Sequence, residues 1–505
     1  MIARAAALPA RRRRALIAMG LTMGLSLGLA SGACGGGSNT AGGGGSAVPD
    51  TVAVSDGCEL ATPATTAVPT DPLQVTVWEP FQGRMATALE RVVARYNAAR
   101  PQVTVVLDPA PSPEAQQARF ESATTTPAGL PTIVVLDGSR TQAVADSKVI
   151  VAASTCMKNP EDDPTSPLPS VRAAYTVDRH HLAGATTLDT PVLFINRAHF
   201  TRAGLDPEHP PRTLKEVAEA AAKLKLAGVS TRPLALSLSP FLIENWLTGA
   251  GANVVNHDDG RTATATASAF DNPRTLELYQ WLHDAQATGL VDALPAAAPV
   301  GAALADLVSQ TSSMAIAPAS SIGIVDAFVD GRGDPTALGL IPGTTLPSAT
   351  ATELDVTPLP GLDGPGRGQV AGDAWYVTTA GTPDQRAAAW DFLRYLGNID
   401  NQVRINLEAS VPPSNTKAVD DPALQAVWGK TRRGHWLDTA YTQVTNFDSQ
   451  APGPLIGPST EVRAAIEASL VAITSGPATV PDAIATADHA IDVAVKAYAK
   501  AHPAS

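Results

Sequence analysis

The most informative segment of this chain is TPVLFINRAHFTRAGLDPEHPPRT, residues 190–213. Its run PVLFIN is continuously apolar, which predicts a strand that is buried on both faces. A short predicted helix begins at Arg197 and ends at Gly204. Thr213 and Glu216 then form a capping box for a longer amphipathic helix. A buried strand therefore gives way to surface helices within a few residues, which is typical of an α/β fold.

Upstream of this segment, strand-like and helical patterns alternate. The runs LQVTVWEPF, QVTVVLDPA and PTIVVLDGS are strand-like, and helical patterns separate them. This order predicts a parallel α/β unit whose ligand site lies at the carboxyl ends of its strands. Trp78, Glu79, Asp108 and Asp137 occupy those ends. Each of them fits a turn or a helix cap as well as a ligand contact.

Length and composition divide the chain. Residues 71–505 have globular composition and exceed what one hydrophobic core usually supports, so two lobes are expected. The Ala-, Thr- and Pro-rich run ATPATTAVPTDP ahead of them cannot bury much apolar surface and reads as a tether. Residues 34–70 are therefore expected to be a flexible linker.

The N-terminus has the pattern of an export signal. Four consecutive arginines, residues 11–14, precede an apolar run that is too short to span a bilayer comfortably. Cys34 then stands where cleavage is expected, which resembles a lipoprotein signal of residues 1–33 with Cys34 as the acylated residue. Ser31 departs from that pattern, since an aliphatic residue is usual there. Export by the general or by the twin-arginine route stays open.

The number and spacing of the cysteine and histidine residues limit which disulfides and metal sites the chain can form. If Cys34 carries a lipid, Cys58 and Cys156 remain as an even pair outside the cytoplasm, and a disulfide between them is expected. Two unpaired thiols are the alternative. No Cys-x-x-Cys or His-x-x-x-His spacing occurs, so neither a metal site nor a cofactor is expected.

The charge balance restricts the partners. The formal net charge is −12, and the predicted signal carries five arginines and no acidic residue, so the exported protein is more acidic still. An acidic surface repels nucleic acid and anionic lipid. Attachment to a membrane is therefore expected through the lipid on Cys34 alone, at the outer face of the cell membrane.

The opening segment also carries a family resemblance. Its motifs T-P-V-L-x-x-N, F-x-x-A-G-L-D-P and P-P-x-T resemble those of the family 1 extracellular solute-binding proteins, the receptor subunits of ATP-binding-cassette importers for sugars and glycerol phosphates. The run SSMAIAPASSIG at 312–323, the segment 358–381 and the closing helix pair at 453–495 are similar to that family too. Among its members, the chain looks most like the glycerol-phosphate binders.

The resemblance implies a two-lobed, type II periplasmic-binding-protein-like fold. Each lobe would be a mainly parallel sheet with helices on both faces. Residues 71–190 with 368–412 would form lobe 1, and residues 191–367 with 413–505 would form lobe 2. The connection at residues 190–196 would serve as the hinge. A small molecule that touches both lobes only in the closed form would drive closure, and the importer's permease subunits would read it. The protein is expected to be a monomer.

Site residues follow by motif position. Asp137, Asp189, Ser320 and Gly372 are the main candidates for ligand contact. Their neighbours Ser321, Asp373 and Trp375, together with Glu79, are further candidates. Trp78 and Trp246 could stack on a sugar or polyol, although aromatic residues in amphipathic segments are more often part of the core.

One turn departs from the glycerol-phosphate binders. Where they carry arginine in a G-x-R-x-G turn, this chain has GPLIG at 453–457, and leucine cannot grip a phosphate. The cleft is therefore expected to be acid-lined and poor in cations. This favours a neutral sugar, a polyol or a glycerophosphodiester with a cationic head such as choline.

Two other functional classes stay open. A lipid-anchored interaction or regulatory protein could use the same fold without transport. A secreted hydrolase is the third possibility, but neither Gly-x-Ser-x-Gly nor His-Glu-x-x-His occurs in the chain. We therefore expect a binding protein and no enzymatic activity.

Overall fold

A computed structural model describes residues 71–126, 129–157, 167–294, 301–338 and 353–503. The strands are β1 (Leu73–Glu79), β2 (Val103–Pro109), β3 (Ile133–Asp137), β4 (Ile150–Val151), β5 (Thr176–Val177), β6 (His180–His181), β7 (Ala185–Asp189), β8 (Pro191–Asn196), β9 (Leu234–Ser237), β10 (Val291–Leu294), β11 (Met314–Pro318), β12 (Leu354–Pro358) and β13 (Ala371–Thr378). The helices are α1 (Gly83–Ala99), α2 (Pro113–Thr124), α3 (Thr141–Asp146), α4 (Pro169–Ala174), α5 (Arg197–Arg202), α6 (Leu214–Leu226), α7 (Pro240–Gly249), α8 (Asn256–Asp259), α9 (Pro273–Ala287), α10 (Ala302–Val308), α11 (Ile322–Val329), α12 (Pro383–Leu396), α13 (Ile399–Ala409), α14 (Pro422–Trp428), α15 (Arg432–Thr445), α16 (Ser459–Thr474) and α17 (Val480–Ala501).

The first sheet contains the three strands that were predicted from the start of the globular region. Its order is β2-β1-β3-β13-β4, with β7 also paired to β13. Strands β2, β1 and β3 are parallel, as the alternation of strands and helices predicts. Strand β13, which the chain reaches from β12 of the second sheet, is antiparallel to β3, β4 and β7. This sheet is therefore mixed.

The second sheet has the order β10-β9-β11-β8-β12. Strands β9, β10 and β11 are parallel, whereas β8 is antiparallel to both β11 and β12. Every residue of β8, the PVLFIN run, is buried, because this strand has a neighbour on each edge and packed side chains on each face. The expectation of a two-lobed α/β fold is confirmed, but both sheets combine parallel and antiparallel pairs.

The main chain passes from the first sheet to the second at a single residue. Strand β7 ends at Asp189 and β8 begins at Pro191, so Thr190 alone joins them. The expectation that all of residues 190–196 form the crossing is wrong for residues 191–196, which form an interior strand of the second sheet. The apolar run is continuous because the strand is internal, and the crossing itself is one buried threonine.

Gln443 of α15 holds this crossing in place. Its amide nitrogen donates to Thr190 Oγ1 at 2.5 Å and to the Pro191 carbonyl at 2.7 Å. Its side-chain oxygen accepts from the Leu359 N–H at 2.7 Å, just after β12. One buried amide therefore ties the passage at Thr190 to the segment by which the chain returns towards β13.

The helices follow their local sequence signals. Thr213 and Glu216 form the predicted capping box at the start of α6, and Gly204 follows α5 with a positive φ of 71°. Helix α1 buries Leu89, Val92 and Tyr96 at helical spacing in one core cluster with residues of β1. Helices α16 and α17 pack together and against α9, which places the predicted closing helix pair beside the second sheet.

Candidate functional site

A cavity of ≈ 340 Å³, which we call the cleft cavity, is lined by residues of both sheets. Strand ends and the start of α7 supply its wall, where polar main-chain and side-chain groups are accessible to a ligand. The lining residues are Asp137, Asp189, Thr190, Pro191, Ser237, Leu238, Ser239, Phe241, Leu242, Ile316, Ala317, Pro318, Ala371, Gly372 and Asp373. Both sheets contribute to this wall.

A second cavity of ≈ 40 Å³, the side cavity, shares Asp137, Phe241, Ala371 and Gly372 with the first. Helix α16 closes it through Ser459, Val462 and Arg463. The other lining residues are Gly138, Ser139, Ala174, Tyr175, Glu244, Arg261, Gln369, Val370, Pro452, Pro454 and Ile456. The side cavity is thus lined by Arg261 and Arg463, whereas no arginine is among the described residues that line the cleft cavity.

Asp137 ends β3 and caps the short turn that follows it. Its Oδ1 accepts from the Ser139 N–H at 3.0 Å, from the Ser139 hydroxyl at 2.5 Å and from Arg463 Nη1 at 3.1 Å. Burial opposes ionisation of this carboxyl, but the Arg463 guanidinium and the two Ser139 donors outweigh burial and lower its pKa. Asp137 is therefore an ionised carboxylate that already has protein partners.

Arg463 connects Asp137 to the helices of the second sheet. Its Nε and Nη2 donate to the two carboxylate oxygens of Glu244 on α7, at 2.9 and 2.7 Å, while Nη1 reaches Asp137. Burial disfavours the cation, but the two carboxylates outweigh this and raise the pKa of Arg463. The fork geometry of arginine allows a bidentate pair with one acid and a single bond to another.

Arg261 is the second cation of the side cavity. Its guanidinium donates to main-chain carbonyls of Gly453 at 2.7 Å, Ala174 at 3.1 Å and Ala173 at 3.2 Å. Burial lowers its pKa to about 10. Arg261 follows α8, in which His257, Asp258 and Asp259 all have positive φ, so α8 is a left-handed turn. This turn sets the direction from which the Arg261 side chain enters the side cavity.

The cleft cavity is lined by three aspartates and, among the described residues, by no lysine or arginine, whereas the side cavity contains two arginines that were not among the candidates from the sequence. Leu455, which replaces the arginine of the G-x-R-x-G turn, is buried in the core and lines neither cavity. Arg463 lies on α16 and Arg261 follows α8, so neither arginine belongs to the GPLIG turn. Both guanidinium groups have protein acceptors, so neither resembles the open phosphate grip of an arginine-containing turn.

Asp189 and Ser320, two of the main candidates, contact each other. Asp189 Oδ2 accepts from the Ser320 hydroxyl at 2.6 Å, and Oδ1 accepts from the N–H groups of Thr190 at 2.8 Å and Ser320 at 3.2 Å. Burial raises the pKa of Asp189 in spite of these donors. The pair joins the end of β7 to the turn after β11, and so links the two sheets beside the crossing.

Gly372 and Asp373 lie at the start of β13, where it enters the first sheet. Gly372 has a φ of 109°, and a Cβ there would lie 1.9 Å from the Thr187 carbonyl oxygen. Only glycine fits this close approach of two main chains. Asp373 pairs in register with Asp137 and lines the cleft cavity. Burial and the neighbouring carboxylates Asp137, Asp189 and Glu79 raise the pKa of Asp373 to about 8.

The tryptophan candidates lie in packed surroundings and line neither cavity. Trp246 is 1 % exposed and donates to the Pro360 carbonyl at 2.8 Å. Trp375 is fully buried and donates to Thr187 Oγ1 at 2.8 Å. Trp78 is covered by the guanidinium of Arg119, 3.6 Å from its ring centroid. Contact between these rings and a ligand stays a prediction, and the aromatic ring that lines both cavities is Phe241 of α7.

Glu79, Ser321 and Asp108 line neither the cleft cavity nor the side cavity, although Asp108 lines, with Trp78, a separate opening of ≈ 490 Å³. Glu79 is buried and accepts from the Phe81 N–H at 2.5 Å, and burial raises its pKa. Ser321 is buried at the junction of the turn with α11. Asp108, at the end of β2, pairs with Arg119 at 2.5 Å. Their side chains serve local contacts in this structure.

The cysteine predictions fall partly beyond the described residues. Cys156 lies in the turn Ala153–Cys156 and is disulfide-bonded. Cys34 and Cys58 are outside the residues that the structure describes. In the described ranges, no group of three or more His, Cys, Asp or Glu side chains is arranged to hold a metal ion. None of the described helices is long and apolar enough to span a bilayer.

Sequence comparison identifies relatives over much of the chain. The family model for "bacterial extracellular solute-binding protein" matches residues 91–431. The chain is 26% identical over 221 residues to the sn-glycerol-3-phosphate-binding periplasmic protein UgpB of Yersinia pseudotuberculosis, covering 43% of this chain and 50% of that protein. It is 25% identical over 219 residues to UgpB of Escherichia coli K12, with the same coverage. The chain thus spans about half the length of the curated relatives it matches.

Solved structures show the same fold at lower identity. The cyclic α-maltosyl-1,6-maltose binding protein of Arthrobacter globiformis superposes with a TM-score of 0.66 at 20% identity, covering 85% of this chain and all of that one. UgpB of Mycobacterium tuberculosis, solved in complex with glycerophosphocholine, gives a TM-score of 0.66 at 18% identity with the same coverage. The arrangement of two sheets about a cleft is therefore shared with these proteins.

Proposed function

Because this chain belongs to the bacterial extracellular solute-binding proteins, we propose that it is the substrate-binding component of an ATP-binding-cassette importer. It captures a sugar, a polyol or a glycerol-phosphate derivative, such as a glycerophosphodiester, in the cleft cavity. Permease subunits are its protein partners. Its family consists of binding proteins, and the proposal assigns it no reaction.

One observation carries this proposal. The cleft cavity of ≈ 340 Å³ is lined from both sheets at once, with Asp373 on β13 and Ser237 at the end of β9. Its volume is in the range of small-molecule sites, and its wall combines apolar side chains with a few polar groups. A ligand in this position contacts both halves when they are closed and one half when they are open, which is the differential affinity that closure requires.

The proposed moving parts are the two lobes given by residues 71–190 with 368–412 and residues 191–367 with 413–505. The single-residue passage at Thr190 supports this division, since it joins the two sheets by one residue. Rotation at a few torsions around Thr190 would move one sheet relative to the other. The protein acts as a monomer in this proposal.

A ligand screen tests the function. Maltose, tagatose, glycerol 3-phosphate and glycerophosphocholine are added separately to the purified exported domain, and its melting temperature is measured. A ligand at a hundred times its Kd stabilises the folded state by about 2.7 kcal/mol, which is readily detected. Small-angle scattering with the stabilising ligand is expected to show a decrease in the radius of gyration.

The same screen separates the other classes. Stabilisation without chemical change of the ligand supports a transport receptor. Conversion of the ligand, followed by chromatography, would indicate a hydrolase. Failure of these four ligands and of a wider carbohydrate and polyol panel to stabilise the protein would contradict the proposed function and favour an interaction protein.

We also propose that Cys34 carries the lipid that holds the protein at the outer face of the cell membrane, and that Cys58 is the disulfide partner of Cys156. The bonded state of Cys156 supports the second point, since the chain has three cysteines and the first is assigned to the lipid. Peptide mass spectrometry without reduction tests it. A peptide containing Cys58 with a free thiol would contradict this pairing.

A further inference from the structure

The polar groups that line the cleft cavity differ in whether the protein itself satisfies them. Asp189 accepts three hydrogen bonds, from Thr190 and Ser320. Asp137 accepts from Ser139 and Arg463. These two carboxyls are therefore occupied by internal donors. A ligand that bonded to them would compete with hydrogen bonds already made.

Asp373 is different. Among the described residues no group donates a hydrogen bond to its carboxyl and no cation pairs with it, although it lines the cleft cavity from the first sheet. The raised pKa of this group reflects the same situation, since burial and nearby carboxylates act on it without a compensating donor. Its side chain is partly exposed in the cavity wall, so a ligand can reach its oxygens without breaking a hydrogen bond inside the protein.

Ser237 provides the matching observation on the opposite wall. It ends β9 of the second sheet, and its hydroxyl is buried without any hydrogen-bond partner in the described chain. The residue lines the same cavity as Asp373. Each sheet therefore contributes to the cleft cavity one polar side chain that has no hydrogen-bond partner within the described chain.

We propose that Asp373 and Ser237 are the specificity-determining pair of the cleft, which binds the hydroxyl-bearing part of a ligand from both sides. The inference rests on the proposed function and deepens it. The carboxyl of Asp373 accepts from a ligand O–H or N–H donor, and the hydroxyl of Ser237 bonds a second polar group of the same ligand. Each contact belongs to a different sheet, so the ligand joins the two sheets only when both contacts form.

The charged side chains around the cleft cavity determine which charge a bound ligand group can carry. Three carboxyls line the cleft cavity, and no lysine or arginine of the described chain lines it. An anionic group in this cavity would face these carboxyls with no cation in the wall to offset its charge, whereas a neutral hydroxyl or an ammonium group would not be repelled. Arg463 and Arg261 in the side cavity already have acceptors, so they do not offset this preference. The pair thus binds the uncharged or cationic end of a ligand.

Calorimetric titration of matched variants tests the inference. The wild-type exported domain, Asp373→Asn and Ser237→Ala are titrated with the four probes maltose, tagatose, glycerol 3-phosphate and glycerophosphocholine. We expect Asp373→Asn to weaken binding of the recognised probe by more than tenfold and Ser237→Ala by about two- to tenfold. A ligand O–H or N–H donor favours the ionised form of the Asp373 carboxyl, and a hydrogen bond to a carboxylate is stronger than one to a neutral hydroxyl. Asp438→Asn and Ser122→Ala, at exposed positions away from both cavities, serve as controls and keep wild-type affinity.

The probes separate the two possible sources of the donor. If maltose or tagatose binds most tightly, the ligand group at Asp373 is a sugar hydroxyl. If glycerophosphocholine binds more tightly than glycerol 3-phosphate, the ligand group at Asp373 is the cationic or the glycerol end of glycerophosphocholine. A recognised probe that binds both cavity variants as tightly as wild type would overturn the inference while leaving the proposed function intact. Tightest binding of glycerol 3-phosphate would also overturn it, because the probe's dianionic end would then dominate recognition. Binding of no probe to the wild-type domain would count against both proposals.

Discussion

Arg463 donates from Nη1 to Asp137 Oδ1 at 3.1 Å, and this bond joins α16, which packs beside the second sheet, to the end of β3 in the first. The same guanidinium is held by both oxygens of Glu244, whose side chain is 5 % exposed. Glu244 keeps the cation paired whether or not the contact to Asp137 is made. The contact between the halves can therefore break without leaving a buried charge uncompensated.

Removal of Arg463 is expected to destabilise the fold. Arg463→Met leaves the buried Glu244 carboxylate without its counter-ion, which costs roughly 3 kcal/mol. Chemical denaturation measures this as a lower free energy of unfolding. Arg404→Met, which removes an exposed ion pair with Asp400, is the control and is expected to change stability by less than about 1 kcal/mol. Equal effects of the two variants would contradict a buried role for Arg463.

Asp373 is expected to make stability depend on pH. Its pKa is raised from 3.8 to about 8, so between these values the unfolded chain carries the carboxylate while the folded protein keeps the proton. The unfolded state then binds fewer protons, and the contribution of this group to stability falls as pH rises through that window. Asp373→Asn removes the penalty. Its melting temperature is expected to exceed that of wild type at pH 7.5, with the difference shrinking towards pH 4.

This variant distinguishes a ligand group from a structural one. A carboxyl that stabilised the fold would make Asp373→Asn less stable at pH 7.5, which is the opposite sign. The carboxylates that raise the pKa of Asp373 are Asp137 on β3, Asp189 on β7 and Glu79 on β1. All three remain in the variant. Asp438→Asn, at an exposed position, controls for the general effect of losing one negative charge.

Gly372 is expected to tolerate no side chain. Gly372→Ala places a Cβ 1.9 Å from the Thr187 carbonyl oxygen at a φ of 109°, so β13 must move away from β7. We expect a loss of soluble protein or a melting temperature lower by many degrees. Gly364→Ala is the matched control, because a Cβ there meets no atom within 4 Å. Near-wild-type stability of Gly372→Ala would show that this strand pairing is wrong.

Gln443 is expected to hold the passage between the sheets. Gln443→Met keeps the approximate size of the side chain but leaves Thr190 Oγ1, the Pro191 carbonyl and the Leu359 N–H without this partner. Buried groups left unpaired are expected to cost roughly 3 kcal/mol together. Gln425→Met removes one hydrogen bond near the surface and serves as the control in the same denaturation experiment. A loss no larger than that of the control would contradict the role of Gln443.

Cys34 is expected to determine where the protein resides. Cys34→Ser removes the sulfur that would carry the lipid, so the protein should move from the membrane fraction to the medium. Immunoblots of the two fractions measure this. Cys58→Ser, which alters a thiol but not the acylation position, is expected to stay with the membrane. Retention of Cys34→Ser at the membrane would refute the anchor.

Local signals made much of the fold predictable. The capping box of Thr213 and Glu216 depends on residues three apart, and the burial of β8 follows from an unbroken apolar run. The position of Asp137 at a strand end followed from its place after PTIVVL. Site residues that depend on distant segments were missed: Arg463 and Ser237 carry no local pattern that sets them apart from other arginines and serines.

The linear chain by itself determined the order of strands and helices, the acidic balance and the family resemblance, because each depends on spacing or composition that neighbouring residues carry. Only the tertiary structure decided that Thr190 alone separates β7 of the first sheet from β8 of the second, that Arg463 pairs with Asp137 across 326 positions of sequence, and that Asp373 lacks an internal donor. The physical reason is that hydrogen-bond satisfaction and burial depend on which side chains share a volume. The packing of the two sheets determines which side chains share a volume, whereas the distance between residues along the sequence does not.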